Sequence, residues 1–227
     1  MDDSSSQDLT SNPKFLSAFD LDHTLLKGNG SVRFGLYLYQ KGVFGFSTLL
    51  RLFASYTTFK MGYSSIEQLH ERVFSLVMRG KAKEMISQWV LPFIEETLES
   101  FFYPPMLRRF QDAQRAGHHT LLLSSSPDFL VEAIARYLKV DGWKGSVYSI
   151  DADNRFSHIS QILLSSSKVS CVREVSAKLA IPKKQIIVYS DSYLDLAFLQ
   201  EAGHAVAVRP DRRLYAFSKK MHWEIVK

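Results

Sequence analysis

Four groups of side chains in this sequence are placed to do chemistry. Asp20 and Asp22 follow the apolar run Phe15-Leu16-Ser17-Ala18-Phe19. Residues two apart on an extended chain face the same side. Two neighbouring carboxylates can bind a divalent cation, or divide nucleophilic and acid/base work between them. Ser124 and Ser125 follow Leu121-Leu122-Leu123, Lys168 follows Ser165-Ser166-Ser167, and Asp191 and Asp195 follow Ile186-Ile187-Val188-Tyr189. Each has a plainer role when taken alone. Asp and His23 suit turns, and Ser124 suits a helix cap ahead of Pro127. Lys168 suits a solvated surface, and Asp195 the acid-favouring start of a helix. Their shared position past the ends of apolar runs favours chemistry, because open α/β sheets bind ligands at that edge.

The elements that must position these groups are short apolar strands alternating with helices. Strands are predicted at 15–19, 121–123, 147–150, 186–189 and 205–208, and helices at 127–138, 168–179, 193–199 and 211–220. Pro104-Pro105 opens a further helix that ends near Gly117. This alternation predicts an α/β fold with a Rossmann-like, doubly wound parallel sheet. Residues 28–100 break the pattern. They show no strand and read as helices at 31–41, 44–60, 64–79 and 81–98. The expected organisation is a tail over 1–13, a core over 14–27 and 101–227, and an all-helical cap over 28–100.

Composition narrows the classes. The 227 residues suit one domain, or one domain with a large insertion. With 46% hydrophobic and 22% charged residues the chain is globular rather than disordered. Cys171 is the only cysteine, which excludes a disulfide scaffold. Charge-free runs reach only about 12 residues, short of the roughly 20 that a spanning helix needs. The acidic start Met1-Asp2-Asp3 lacks a secretory pattern, so a cytoplasmic location is expected. The net charge is +5, and residues 1–13 hold Asp2, Asp3 and Asp8 without Lys or Arg. A basic body suits anionic partners.

Strand, then Asp20-Leu21-Asp22-His23-Thr24-Leu25-Leu26, resembles the first motif of the haloacid-dehalogenase-like phosphohydrolases. Ser124, Lys168 and the acidic pair Asp191 and Asp195 follow in that family's order, each at the matching junction. The similarity runs from about residue 14 to the C-terminus. It points to the subfamily with a helical cap after the first motif, which includes phosphoserine phosphatase. Ser124-Ser125-Ser126-Pro127 and Val206-Ala207-Val208-Arg209-Pro210-Asp211 resemble that subfamily's forms. Ser190 stands where Gly is usual, Ala197 where Pro is frequent, and His23 replaces the commoner Gly. The resemblance implies a Mg²⁺-dependent phosphomonoester hydrolase with Asp20 as nucleophile and Asp22 as general acid/base. It implies Mg²⁺ held by Asp20, the backbone carbonyl of Asp22, and Asp191. Asp195 would support the metal directly, through water, or by anchoring Lys168. Ser124, Ser125 and Lys168 would bind phosphoryl oxygens. The cap would open at each turnover to release product.

The substrate is expected to be a small phosphorylated metabolite. Phosphoserine phosphatase uses a Glu shortly after the second aspartate to hold an ammonium. Here that stretch is Lys27-Gly28-Asn29-Gly30-Ser31, without a carboxylate, which argues against phosphoserine. Ile66 to Val73 resembles its cap helix and nominates Arg72 for an anionic substrate group. Aromatic residues crowd 34–59 with basic residues among them. A packed cap core is the plain reading, and a surface meeting membrane and a lipid phosphate is the alternative. A non-catalytic anion or nucleic-acid binder is the reading from another class. Nothing but charge supports it, and no nucleic-acid partner is expected. The sequence assigns no oligomeric state.

Overall fold

The protein is described by a computed structural model covering residues 13–227. Residues 1–12, most of the expected tail, lie outside the described residues. A seven-stranded sheet forms the centre, in the order β4-β3-β2-β1-β5-β6-β7. The strands are β1 (Leu16–Asp20), β2 (His119–Pro127), β3 (Gly142–Ile150), β4 (Phe156–Gln161), β5 (Ile186–Ser190), β6 (His204–Val208) and β7 (Glu224–Val226). All neighbours pair in parallel except β3 with β4. The α/β fold class therefore stands, with an antiparallel edge strand added.

Burial explains why β1 reads as an unbroken apolar run. It lies mid-sheet with every residue buried, so no polar face appears in the sequence. Phe19 stacks on Tyr189 of β5 at 4.4 Å between ring centroids. In register, Asp20 pairs with Leu123 and Phe19 with Tyr189. The strand ends of β1, β2 and β5 therefore share one edge. The chain leaves β1 for β2 on one side and returns to β5 on the other, which makes that edge the switch point.

Between β1 and β2 the described chain is helical: α1 (Gly30–Gln40), α2 (Phe46–Lys60), α3 (Ile66–Val77), α4 (Lys83–Ser87), α5 (Val90–Phe93), α6 (Glu99–Phe101) and α7 (Pro104–Arg115). Asn29 caps α1, and Ser65 with Gln68 forms a capping box on α3. The single helix predicted over 81–98 is instead broken. Pro92 interrupts the backbone ladder, and a wide turn spans Ile94–Leu98. The remaining helices are α8 (Asp128–Leu138), α9 (Ser165–Lys178), α10 (Leu196–Gln200) and α11 (Arg212–Lys220).

Backbone hydrogen bonds tie the helical segment down at two places. Its entry and exit pair with one another: Lys27 N–H donates to Phe101 O (2.9 Å) and Tyr103 N–H to Leu25 O (2.8 Å). Its far end, after α3, bonds to the β3–β4 hairpin. Gly80 N–H donates to Phe156 O (2.8 Å), Phe156 N–H to Lys81 O (3.0 Å) and Lys83 N–H to Asn154 O (2.9 Å). Aromatic packing joins the layers, with Phe34 edge-on to Phe129 and Phe74 edge-on to Tyr148.

Candidate active site

The first motif is a tight device. After Asp20 the chain makes a wide turn over Leu21–Leu25, and Leu26 N–H donates to Leu21 O at 3.0 Å. His23 takes φ 60°, a left-handed conformation that Gly adopts without cost and His more readily than most residues. Arg209 clamps this turn from the loop after β6. Its guanidinium donates to His23 O (2.5 Å) and Leu26 O (2.8 Å) and lies over the Tyr103 ring.

Asp20 is 6% exposed, and its carboxylate accepts from Lys168 Nζ at 2.6 Å and from Thr24 Oγ1 at 3.0 Å. Lys168 also donates to Asp195 Oδ2 at 2.7 Å. Lys168 sits one turn inside α9, which starts at Ser165 rather than at Lys168 as predicted, and its amide donates to Leu164 O. Ser190 Oγ donates to the same Asp195 oxygen at 2.9 Å. Asp195 thus anchors Lys168, one of the roles expected of it.

Charge is unbalanced here. One buried ammonium faces Asp20, Asp195 and the nearby Asp191 and Asp22. Burial, reinforced by the Asp195 and Asp22 carboxylates and opposed by Lys168, pushes Asp20 up to about 7. Burial and the neighbouring Asp20 and Asp195 push Asp191 up to about 8. Burial lowers the Lys168 ammonium, but Asp195 and Asp20 together outweigh it and hold it above its ordinary value.

Asp22 faces a different set of partners. Its Oδ2 accepts from Ser124 Oγ and Ser126 Oγ, both at 2.9 Å, and its Oδ1 from Gly30 N–H at 2.6 Å. Ser124 Oγ also accepts from Ser126 N–H, so its hydroxyl is engaged with both Asp22 and the β2 backbone. Ser125 is half-buried beside them, and its carbonyl accepts from Ser146 Oγ. Ser31 of α1 shares a 2.7 Å hydrogen bond with Ser126.

Arg72 does not join this cluster. It is exposed, donates to Thr58 Oγ1 at 3.3 Å and lines a groove between α2 and α3 with Arg51 and Arg79. Two residues along a helix is about 200° of rotation. His70 lies two residues earlier on the same helix, on the opposite side from Arg72. It is half-buried, burial lowers its pKa, and its charge feels Asp22. His70 lay in the stretch that nominated Arg72, and the helical period was the signal that separates them.

The donors for a cation are spare. Among the described residues, no three His, Cys, Asp or Glu side chains converge as a ready cage. What exists is a pair of mutually repelling carboxylates, Asp20 and Asp191, beside the Asp22 backbone. That set fits Mg²⁺, which binds through one or two carboxylates and keeps several waters. The thiol of Cys171 is buried and pushed up by burial, as suits a packed side chain.

Asp20, Asp22, Ser124, Lys168, Asp191 and Asp195 come together at the switch-point edge of an α/β sheet. The chain belongs to the haloacid dehalogenase-like hydrolase family, which it matches over residues 18–200. It is an enzyme, a phosphoric monoester hydrolase. It is 26% identical over 212 residues to phosphoserine phosphatase SerB1 of Mycobacterium tuberculosis, covering 91% of this chain and 68% of that one. It is 25% identical over 219 residues to histidinol-phosphatase of Neisseria meningitidis, covering 94% and 98%. A crystal structure of a protein of unknown function from Bordetella pertussis shares the fold, with TM-score 0.82, 20% identity, and 95% and 99% of the two chains covered. Among the described residues no helix is long and apolar enough to cross a membrane.

Proposed function

We propose that this chain is a Mg²⁺-dependent phosphatase that hydrolyses a small phosphomonoester through an aspartyl-phosphate on Asp20, with helices α1–α6 as a cap over the site. The observation that carries the reading is the division of labour between the two aspartates. Asp20 is bound to an ammonium and poised as a nucleophile, while Asp22 is held apart by hydroxyls and an amide.

An Asp20 oxygen attacks phosphorus, and the bond from phosphorus to the ester oxygen breaks. Protonated Asp22 gives its proton to that oxygen, so the alcohol leaves neutral. Asp22, now a carboxylate, takes a proton from water as the water attacks the aspartyl-phosphate. Phosphate leaves and Asp20 is regenerated. To reach the ester oxygen, Asp22 exchanges its bonds to Ser124 and Ser126 for substrate. The freed hydroxyls, with Ser125 nearby, are then available to phosphoryl oxygens. Lys168 offsets negative charge throughout. Bound Mg²⁺, held by Asp20, the Asp22 carbonyl and Asp191, would supply charge neutralisation at the phosphoryl group.

The substrate is read as other than phosphoserine, because Lys27 to Ser31 offers no carboxylate to an ammonium. In the structure that stretch is occupied with capping α1 through Asn29 and bonding Ser126 through Ser31. The test is phosphate release from a panel containing phosphoserine, histidinol phosphate and phosphatidylglycerophosphate, with Mg²⁺ or EDTA. Release that needs Mg²⁺ and vanishes in Asp20→Asn is expected, with phosphoserine a poor substrate. Release unaffected by Asp20→Asn overturns the mechanism, and phosphoserine as the best substrate overturns the specificity.

A further inference from the structure

Helix α2 is apolar on both sides. Leu49 and Leu52 face inward and pack against the core. Phe46, Leu50 and Phe53 face outward at 67%, 59% and 68% exposed, spaced as one continuous stripe. Met61 and Tyr63, just past the helix, are exposed as well. Large exposed apolar stripes mark interaction sites, whereas scattered single residues do not.

Charge indicates the occupant. Lys27, Arg33, Lys41, Arg51 and Lys60 fall between residues 27 and 66, where there is no Asp or Glu. Lys41 is paired with Glu96, but Arg51 lies on α2 itself. Arg51 lines a groove of about 630 Å³ together with Arg72, Arg79 and Glu71, of which Arg79 and Glu71 pair with each other, leaving the groove net basic. An exposed apolar stripe on a helix that borders a groove where three guanidiniums meet one carboxylate matches an anionic bilayer surface. A second copy fits less well, since it would set two net-basic faces against each other. The helix has 15 residues, about 22 Å at the α-helical rise, so it can lie in the interface but not span it.

We propose that α2 docks this enzyme on anionic lipid bilayers, with Phe46, Leu50 and Phe53 entering the interface and Arg51 meeting lipid phosphates. The proposal goes beyond the reaction and holds whichever ester is hydrolysed.

The test is co-sedimentation of the full chain with vesicles of equimolar phosphatidylglycerol and phosphatidylcholine, and with phosphatidylcholine alone. Binding to the anionic vesicles only is expected, weakened by added salt. Leu50→Ser with Phe53→Ser should lower partitioning by about tenfold or more, given the transfer free energy of two such side chains. Hydrolysis of a soluble aryl phosphate should be unchanged, which reports that the variant is folded. Arg51→Glu, a surface change, gives a second reading and should also weaken binding. Absence of binding to the anionic vesicles overturns the proposal. So does wild-type binding by both variants, or a solution dimer that Leu50→Ser dissociates.

Discussion

The amide of Gly30 donates to the Asp22 carboxylate at 2.6 Å, which fastens the first turn of α1 to the first motif. The approach is tight for a side chain, so a neighbour must give way. A Cβ on Gly30 would lie 3.1 Å from Leu26 Cδ1 and 3.2 Å from Asp22 Oδ1. Gly30→Ala is expected to displace Asp22 while leaving the sheet intact. With Asp22 as acid and base, kcat should fall by about 10²-fold. Thermal unfolding and steady-state kinetics on one preparation check this, and a variant with full kcat would detach Asp22 from the acid/base role.

Lys168 is 4% exposed and is the ammonium between Asp20 and Asp195. Lys168→Met removes it and strands two buried carboxylates. Breaking a buried pair from one side costs about 3–5 kcal/mol. Protonation relieves that cost, so the fall in Tm should be smaller near pH ~5 than near pH ~9. An equal fall at both would contradict the charge account. Activity should be lost at both.

The raised carboxyls set a direction for the metal-free enzyme. Asp20 moves from 3.8 to about 7 and Asp191 from 3.8 to about 8. Below 3.8 both folded and unfolded forms are protonated, and these groups contribute no pH dependence. Between 3.8 and about 8 the folded form keeps protons that the unfolded form has released, so stability falls as pH rises through this window. Mg²⁺ should reverse the loss and release protons on binding. Calorimetric Mg²⁺ titrations in two buffers of different ionisation enthalpy measure that release. Buffer-independent heats near neutral pH would contradict it.

His70 and Arg72 separate cleanly. His70→Ala is expected to lower kcat/KM by about tenfold or more on a soluble substrate, through loss of a half-buried group whose charge interacts with Asp22. Arg72→Ala should stay within about twofold, because its guanidinium faces the outer groove. The reverse ranking would restore Arg72 as a substrate contact.

The fold class and the catalytic edge were legible because they rest on local pattern. β1 is buried on both faces, and its apolar run ends where Asp20 begins. β4 was missed because Phe156-Ser157-His158-Ile159-Ser160-Gln161 is a half-exposed edge strand dominated by Ser and His, with little apolar signal. β7 is only three residues long. Arg209 and Ser126 were not singled out, since their roles depend on contacts across long stretches of chain. Arg209 reaches His23, and Ser126 reaches Asp22, only once the sheet is assembled.

The bonds between Gly80 to Lys83 and the β3–β4 hairpin change how traffic through the site must run. A lid that swings about the paired crossings at Leu25–Lys27 and Phe101–Tyr103 would tear this second attachment on every cycle. The helices are built as a bridge with two abutments rather than as a door on one hinge. On the proposed reading, ester and alcohol are expected to pass beneath the span, through small displacements of α3 and the first turn of α1. Turnover on such a plan would keep the aromatic contacts between the layers.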